Sequence, residues 1–171
     1  RNLMYTAQLD TTAGPFSIRY PRGIGAGTEW KKPFEEIKIG KARRISEGKD
    51  IAVLSIGHPG NFVKEATQMV AADNISVEHW DMRFVNPLDT ETLHYVMSNF
   101  KHVITVEDGV IKGGFGSAIL EFVADNGYSP VIKRMGIPDY FVAQGTQKEL
   151  YRECGFDAEA IAETIRRIIR Q

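Results

Sequence analysis

Two stretches of the 171-residue chain combine residue types that could do chemistry. The first is Glu107-Asp108-Gly109, followed by Gly113, Gly114 and Gly116. It lies between an apolar β-branched run, Val103 to Val106, and an apolar helical pattern that starts near Ser117. Strand, glycine turn and helix form the unit from which phosphate and nucleotide sites are built, because the turn aims free backbone N–H groups at an anion. The match to known phosphate loops is incomplete. Phe115 and Gly116 stand where a Walker loop requires Lys and Ser/Thr, and Ile119 replaces the third glycine of a dinucleotide fingerprint. The same glycines equally permit a sharp turn and close packing. Glu107 and Asp108 fall at the carboxyl end of a strand, where open α/β sheets place ligands, or else they cap the turn.

The second stretch is Arg19-Tyr20-Pro21-Arg22-Gly23. Arginine offers a planar, permanently charged fork that suits phosphate. Spacing alone also fits two solvated surface arginines. The four histidines, His58, His79, His94 and His102, show no metal-ligand spacing, and the single cysteine, Cys154, does not pair with them. No G-x-S-x-G elbow is present, although a Ser-His-Asp arrangement assembled by the fold stays open.

The elements that must position these residues follow from periodicity. Residues 1–9 suit the tail of a helix, and Asp10 to Pro15 carries turn residues. Phe16 to Tyr20 alternates like a short strand. Gly23, Gly25 and Gly27 open a stretch with no period, so residues 1–35 read as the end of one domain plus a linker and residues 36–171 as a second domain. Glu36 to Ile45 is strand-like. A turn at Glu47 to Asp50 then leads to the continuous apolar run Ile51 to Ile56, a strand covered on both faces, so the two strands are expected to form a hairpin. Helical stripes follow at Phe62 to Val70, Leu93 to Phe100 and Ser117 to Asn126. They alternate with strands at Ile75 to Met82, Val103 to Val106 and Pro130 to Met135. Asp89 or Thr90 caps one helix, Thr146 and Glu149 form a capping box, and Asp157 caps the last helix. The pattern predicts a three-layer α/β/α domain with a mostly parallel sheet and an antiparallel edge strand.

A net charge of −1 gives no basic footprint for nucleic acid or a membrane surface. One cysteine allows no internal disulfide and fits a reducing, cytoplasmic setting. The chain starts at Arg1 as though in mid-helix, so a fragment of a longer protein is expected.

Several segments occurring in one order carry a resemblance. They are Ile18 to Gly23, Asp81-Met82-Arg83-Phe84-Val85-Asn86-Pro87-Leu88-Asp89, Val106 to Gly109 with Gly113 to Ser117, and Gly136-Ile137-Pro138-Asp139 with Gln144-Gly145-Thr146 and Glu149-Leu150. Together they resemble the C-terminal part of the 1-deoxy-D-xylulose-5-phosphate synthase family, within the thiamine-diphosphate-dependent transketolase superfamily. Asn86 departs from the family's commoner lysine. The resemblance implies a transketolase C-terminal domain-like fold. It implies a parent that condenses pyruvate with glyceraldehyde 3-phosphate, losing CO2, for isoprenoid, thiamine and pyridoxal synthesis. Thiamine diphosphate and Mg2+ would be held by N-terminal domains outside this chain, so no catalytic or metal-ligating residue is expected here and the fragment alone is expected to be inactive. The implied partners are those domains of the same chain and a homodimer mate. Arg22 would hold the substrate phosphate, with Arg19 the weaker choice. Glu107, Asp108 and Gly114 would support the site from behind or face a neighbouring subunit. The rival readings are a 2-oxoacid dehydrogenase β subunit or transketolase fragment, and a non-catalytic interaction module with the same fold.

Overall fold

The computed structural model describes residues 1–9, 14–21 and 31–171. The elements are, in order, α1 (Asn2–Thr6), β1 (Arg43–Ser46), β2 (Ile51–Ile56), α2 (Pro59–Ala71), β3 (Val77–Asp81), α3 (Thr90–Asn99), β4 (His102–Val110), α4 (Phe115–Asp125), β5 (Val131–Ile137), α5 (Gln147–Glu153) and α6 (Ala158–Ile169). The strands form one sheet in the order β1-β3-β2-β4-β5, parallel except for β1 against β3.

β2 shows how the layers arise. Its side chains alternate between the faces, and both faces are apolar. Ile51 and Val53 pack with Val63, Ala66 and Val70 of α2 and with Ile161 and Ile165 of α6. Ala52 and Leu54 pack with Leu93 and Val96 of α3 and with Phe115 and Ile119 of α4. A strand buried on both faces needs apolar residues at every position, and the continuous run supplies them. The result is the expected α/β/α sandwich.

Three local expectations are corrected. β1 does not form a hairpin with β2. Both edges of β2 are taken by the parallel strands β3 and β4, so the turn carries β1 to the outer edge of β3 instead. Gly48 fixes this course: a Cβ there would run into the backbone of Val77 and Glu78, and its N–H donates to the Glu78 carboxylate at 2.8 Å. Residues 14–21 form no ladder and are not a strand. β4 runs on through Glu107, Asp108 and Gly109 to Val110, so those residues are not yet in the turn, and α4 starts at Phe115 rather than Ser117. Residues 23–30 of the linker and the second arginine of the Arg19–Gly23 stretch, Arg22, lie outside the described residues.

Candidate functional site

Because β2, β3, β4 and β5 are parallel, their carboxyl ends share one side of the sheet. The chain moves from β2 to β3 and then returns to place β4 on the other side of β2. The topological switch therefore lies between the carboxyl ends of β2 and β4, where open α/β sheets leave a crevice for ligands. His58, just after β2, and Asp108, in β4, meet there, with Nδ1 and Oδ2 3.6 Å apart. That is an ionic contact only when the ring is protonated. Burial lowers the His58 pKa, Asp108 raises it and Arg19 lowers it, with a net downward shift that leaves the ring neutral at pH 7. Among the described residues its buried Nε2 has no hydrogen-bond partner. The rings of Tyr151 and Phe62 lie 5.2 and 5.8 Å from it.

The segment 14–21 crosses this edge. Phe16 meets Phe84, beyond β3, edge-on at 6.3 Å between ring centres. Arg19 reaches Gly109, its guanidinium 3.5 Å from where a Cβ on that glycine would stand. Of the arginines singled out from sequence, Arg19 thus joins His58 and Asp108 at the switch point.

The glycine loop is a cradle whose anion belongs to the chain itself. The Glu107 carboxylate accepts hydrogen bonds from the backbone N–H groups of Phe115 and Gly116, both at 2.8 Å, at the start of α4. It is 4% exposed. A Cβ on Gly114 would collide with this carboxylate and with the Val110 carbonyl. A Cβ on Gly109 would lie 2.9 Å from Glu107 Oε2, and one on Gly136 2.9 Å from Glu107 Cγ. The glycines of the loop make room for a buried carboxylate at a helix N-terminus, where the dipole favours negative charge.

Two features escaped the sequence reading. Arg83, after β3, has a left-handed backbone with φ 58°, a conformation that costs an L-residue about 1–2 kcal/mol. Burial lowers its pKa, as does neighbouring Arg43, against a single carboxylate, Asp81, at 3.9 Å. The Arg83-Phe84-Val85-Asn86-Pro87 segment, with its cis Asn86–Pro87 bond, held no periodic signal that could have marked Arg83. The other feature is Ser55 Oγ, 2.8 Å from His79 Nε2. Ser55 is fully buried beneath Gly60, so this pair cannot attack a substrate, and the open Ser-His-Asp possibility closes there. Burial, and then Arg43, push the His79 pKa down to about 4. The folded state therefore favours the neutral ring. Stability is unaffected by this group above about pH 6.5 and falls as the pH drops from 6.5 towards 4, by about 3 kcal/mol in all. Urea unfolding at pH 7, 5.5 and 4.5 measures this. His79→Gln is expected to flatten that limb, and an unchanged slope would refute the assignment.

Cys154 is half-buried, and burial, then Glu153 and Asp108, raise its thiol pKa. Among the described residues no group of three or more His, Cys, Asp or Glu could hold a metal ion. No helix among them is long and apolar enough to cross a membrane.

A family model described as the transketolase C-terminal domain matches residues 40–161. Over 98% of its length the chain is 58% identical to the 1-deoxy-D-xylulose-5-phosphate synthase of Cytophaga hutchinsonii, and over 96% it is 52% identical to that of Bacteroides fragilis. It spans 26% of each of those relatives. Among solved structures, a split-gene transketolase described as an inactive β4 tetramer superposes with a TM-score of 0.74 at 25% identity, covering 81% of this chain and 45% of that one. The sandwich and the family-model match agree: the chain belongs to the transketolase C-terminal domain family.

Proposed function

We propose that the chain is the C-terminal part of a synthase that condenses pyruvate with glyceraldehyde 3-phosphate to 1-deoxy-D-xylulose 5-phosphate, with loss of CO2. The observation that carries this reading is 58% identity sustained over nearly the whole chain. The likeness to a transketolase rests on 25% identity and supports the shared fold rather than its donor chemistry.

Thiamine diphosphate, with Mg2+, supplies the carbanion chemistry in such an enzyme. The described residues do not fit either group. Among the described residues, the glycine-loop helix terminus is filled by the Glu107 carboxylate and no set of metal ligands converges. On this reading the cofactor is held by the rest of such a synthase, since the chain spans 26% of the length of those relatives. This chain's own part is at the carboxyl edge of its sheet. Arg22 is proposed to hold the phosphate of the aldehyde substrate. Arg19, seated against Gly109, and Arg83, a strained cation only partly compensated by Asp81, add positive potential along the same edge. Asp108 and His58 line that edge behind them. The opposite flank, around the edge strand β5, exposes Val110, Val131, Tyr140 and Phe141, apolar side chains that suit contact with further domains of a parent synthase or a second copy.

In the full-length enzyme, Arg22→Ala is expected to raise KM for glyceraldehyde 3-phosphate about 100-fold, the effect of losing one charge-assisted pair. KM for pyruvate is expected to stay within about threefold. Steady-state kinetics with each substrate varied is the measurement. An equal rise in both constants would overturn the phosphate role, and an acceptor aldehyde without phosphate is expected to be indifferent to the change.

A further inference from the structure

Four parts of the chain meet at Asp108. The residue stands near the end of β4 with its side chain 29% exposed. The His58 ring, from the turn after β2, lies 3.6 Å from its Oδ2, too far for a hydrogen bond. Tyr151 and Cys154, at α5, are near enough for its charge to add to the burial that holds both of them neutral. Residues 14–21 complete the group through Arg19. Its guanidinium lies 3.5 Å from where a Cβ on Gly109 would stand, and its charge reaches the His58 ring.

Two of these groups can be cations at this spot, and geometry decides between them. A charged His58 would carry a proton on both ring nitrogens, and its Nε2 is buried with no acceptor among the described residues. Charging the ring would leave an N–H unpaired out of water, so the ring stays neutral. The Asp108 charge is left to Arg19, which keeps its proton at every ordinary pH. Gly109 leaves the approach open, since the residue after Asp108 has no side chain in the way of the guanidinium.

Residues 14–21 need such an anchor. Among the described residues they make no backbone hydrogen bond. Phe16 against Phe84 supplies an apolar contact towards one end, and Arg19 supplies the polar one towards the other.

We propose that Asp108 is a positioning residue. Through Arg19 it holds residues 14–21 across the carboxyl edge of the sheet, and so keeps a guanidinium where the phosphate of the aldehyde substrate arrives. The anchoring does not depend on the chain being part of a synthase; the substrate that it serves does.

Titration of the His58 ring by 1H–15N NMR in the chain itself tests the anchoring. Both side chains to be changed are partly exposed, so the variants keep the fold. Arg19→Ala is expected to raise the His58 pKa by removing a nearby cation, and Asp108→Asn to lower it. In the Asp108→Asn background, Arg19→Ala is expected to move the His58 pKa no further, because an arginine that Asp108 no longer holds has already left. An equal rise in both backgrounds, or no rise in either, would overturn the proposal. In the full-length protein, Asp108→Asn is expected to raise KM for glyceraldehyde 3-phosphate about fivefold, the upper range for a partly solvated ion pair, and KM for pyruvate less than about twofold. Asp108→Glu, which keeps the charge, is expected to recover most of that loss. Equal rises in both constants, or no recovery with Asp108→Glu, would show a merely structural effect and overturn the positioning role. A full-length protein that forms no 1-deoxy-D-xylulose 5-phosphate would instead sink the synthase reading, and the His58 titration would then decide the anchoring alone.

Discussion

Replacing Glu107 by Ala is expected to destabilise the chain by about 4 kcal/mol, close to the upper end for a single substitution. The carboxylate accepts two buried backbone N–H groups at the start of α4, and each hydrogen bond to a charged group contributes about 1.5–3 kcal/mol. Its removal orphans both donors and leaves a cavity walled by Gly109, Gly114 and Gly136, too narrow to collapse without moving β4, β5 and the loop together. Glu107→Gln keeps the volume and one acceptor, but it turns an NH2 towards a second donor. About half of the loss is expected there. Gly114→Ala attacks the same arrangement from the other side, since its Cβ would occupy the space of the carboxylate and of the Val110 carbonyl. It should match Glu107→Ala. Denaturant unfolding of the three variants is the measurement. A loss below about 1 kcal/mol in Glu107→Ala would mean that the loop does not depend on its internal anion.

That internal anion explains why the loop was half legible in the sequence. Strand, glycines and helix were visible in order, and so was the mismatch to known phosphate loops at Phe115, Gly116 and Ile119. What one-dimensional spacing could not show is that Glu107, eight residues before Phe115, would turn back to fill the cradle. The layers were readable because burial on both faces demands apolar residues at every position of β2 and one stripe on each helix. The caps at Asp89, Thr146 with Glu149, and Asp157 were readable because each acts within three residues of itself. Pairing was not local in the same way. Whether β1 joins β2 or β3 is decided by β4 arriving on the far side of β2 about 50 residues later, and a short turn cannot report that. The candidate site shows the same division. Arg19 and Asp108 drew attention by residue type and position, while His58 and Arg83 join them at one edge only through the parallel register of β2, β3 and β4.

Asp89→Ala is expected to cost about 3 to 4 kcal/mol, although the residue looks like an ordinary helix cap. Capping alone accounts for about 1–2 kcal/mol, through the Thr92 N–H at 3.2 Å. The second carboxylate oxygen accepts from the Thr92 hydroxyl at 3.0 Å and from the backbone N–H of Ala42 at 2.8 Å. Ala42 immediately precedes β1, so the side chain ties the edge strand to the start of α3 across the loop that follows β3. An alanine would leave the Ala42 N–H half-buried and unpaired, adding about 1–3 kcal/mol. Lys41, 3.5 Å away, contributes little by comparison, because it is solvated and shared with Glu91. Burial pushes the Asp89 carboxyl up, but the Ala42 and Thr92 donors together with Lys41 outweigh it and hold the group below the usual carboxylate range. The sign follows. Its contribution is complete above about pH 4 and is lost as the pH falls through the depressed value. Asp89→Asn, which keeps the capping oxygen but turns an NH2 towards the Ala42 N–H, is expected to lower stability by about 1–2 kcal/mol at pH 7 and to flatten only the limb below pH 4. His79→Gln acts between 6.5 and 4, so the two variants should remove separate parts of one acid-unfolding curve. If Asp89→Asn instead alters the limb above pH 5, the carboxylate is not the group that ties β1 to α3.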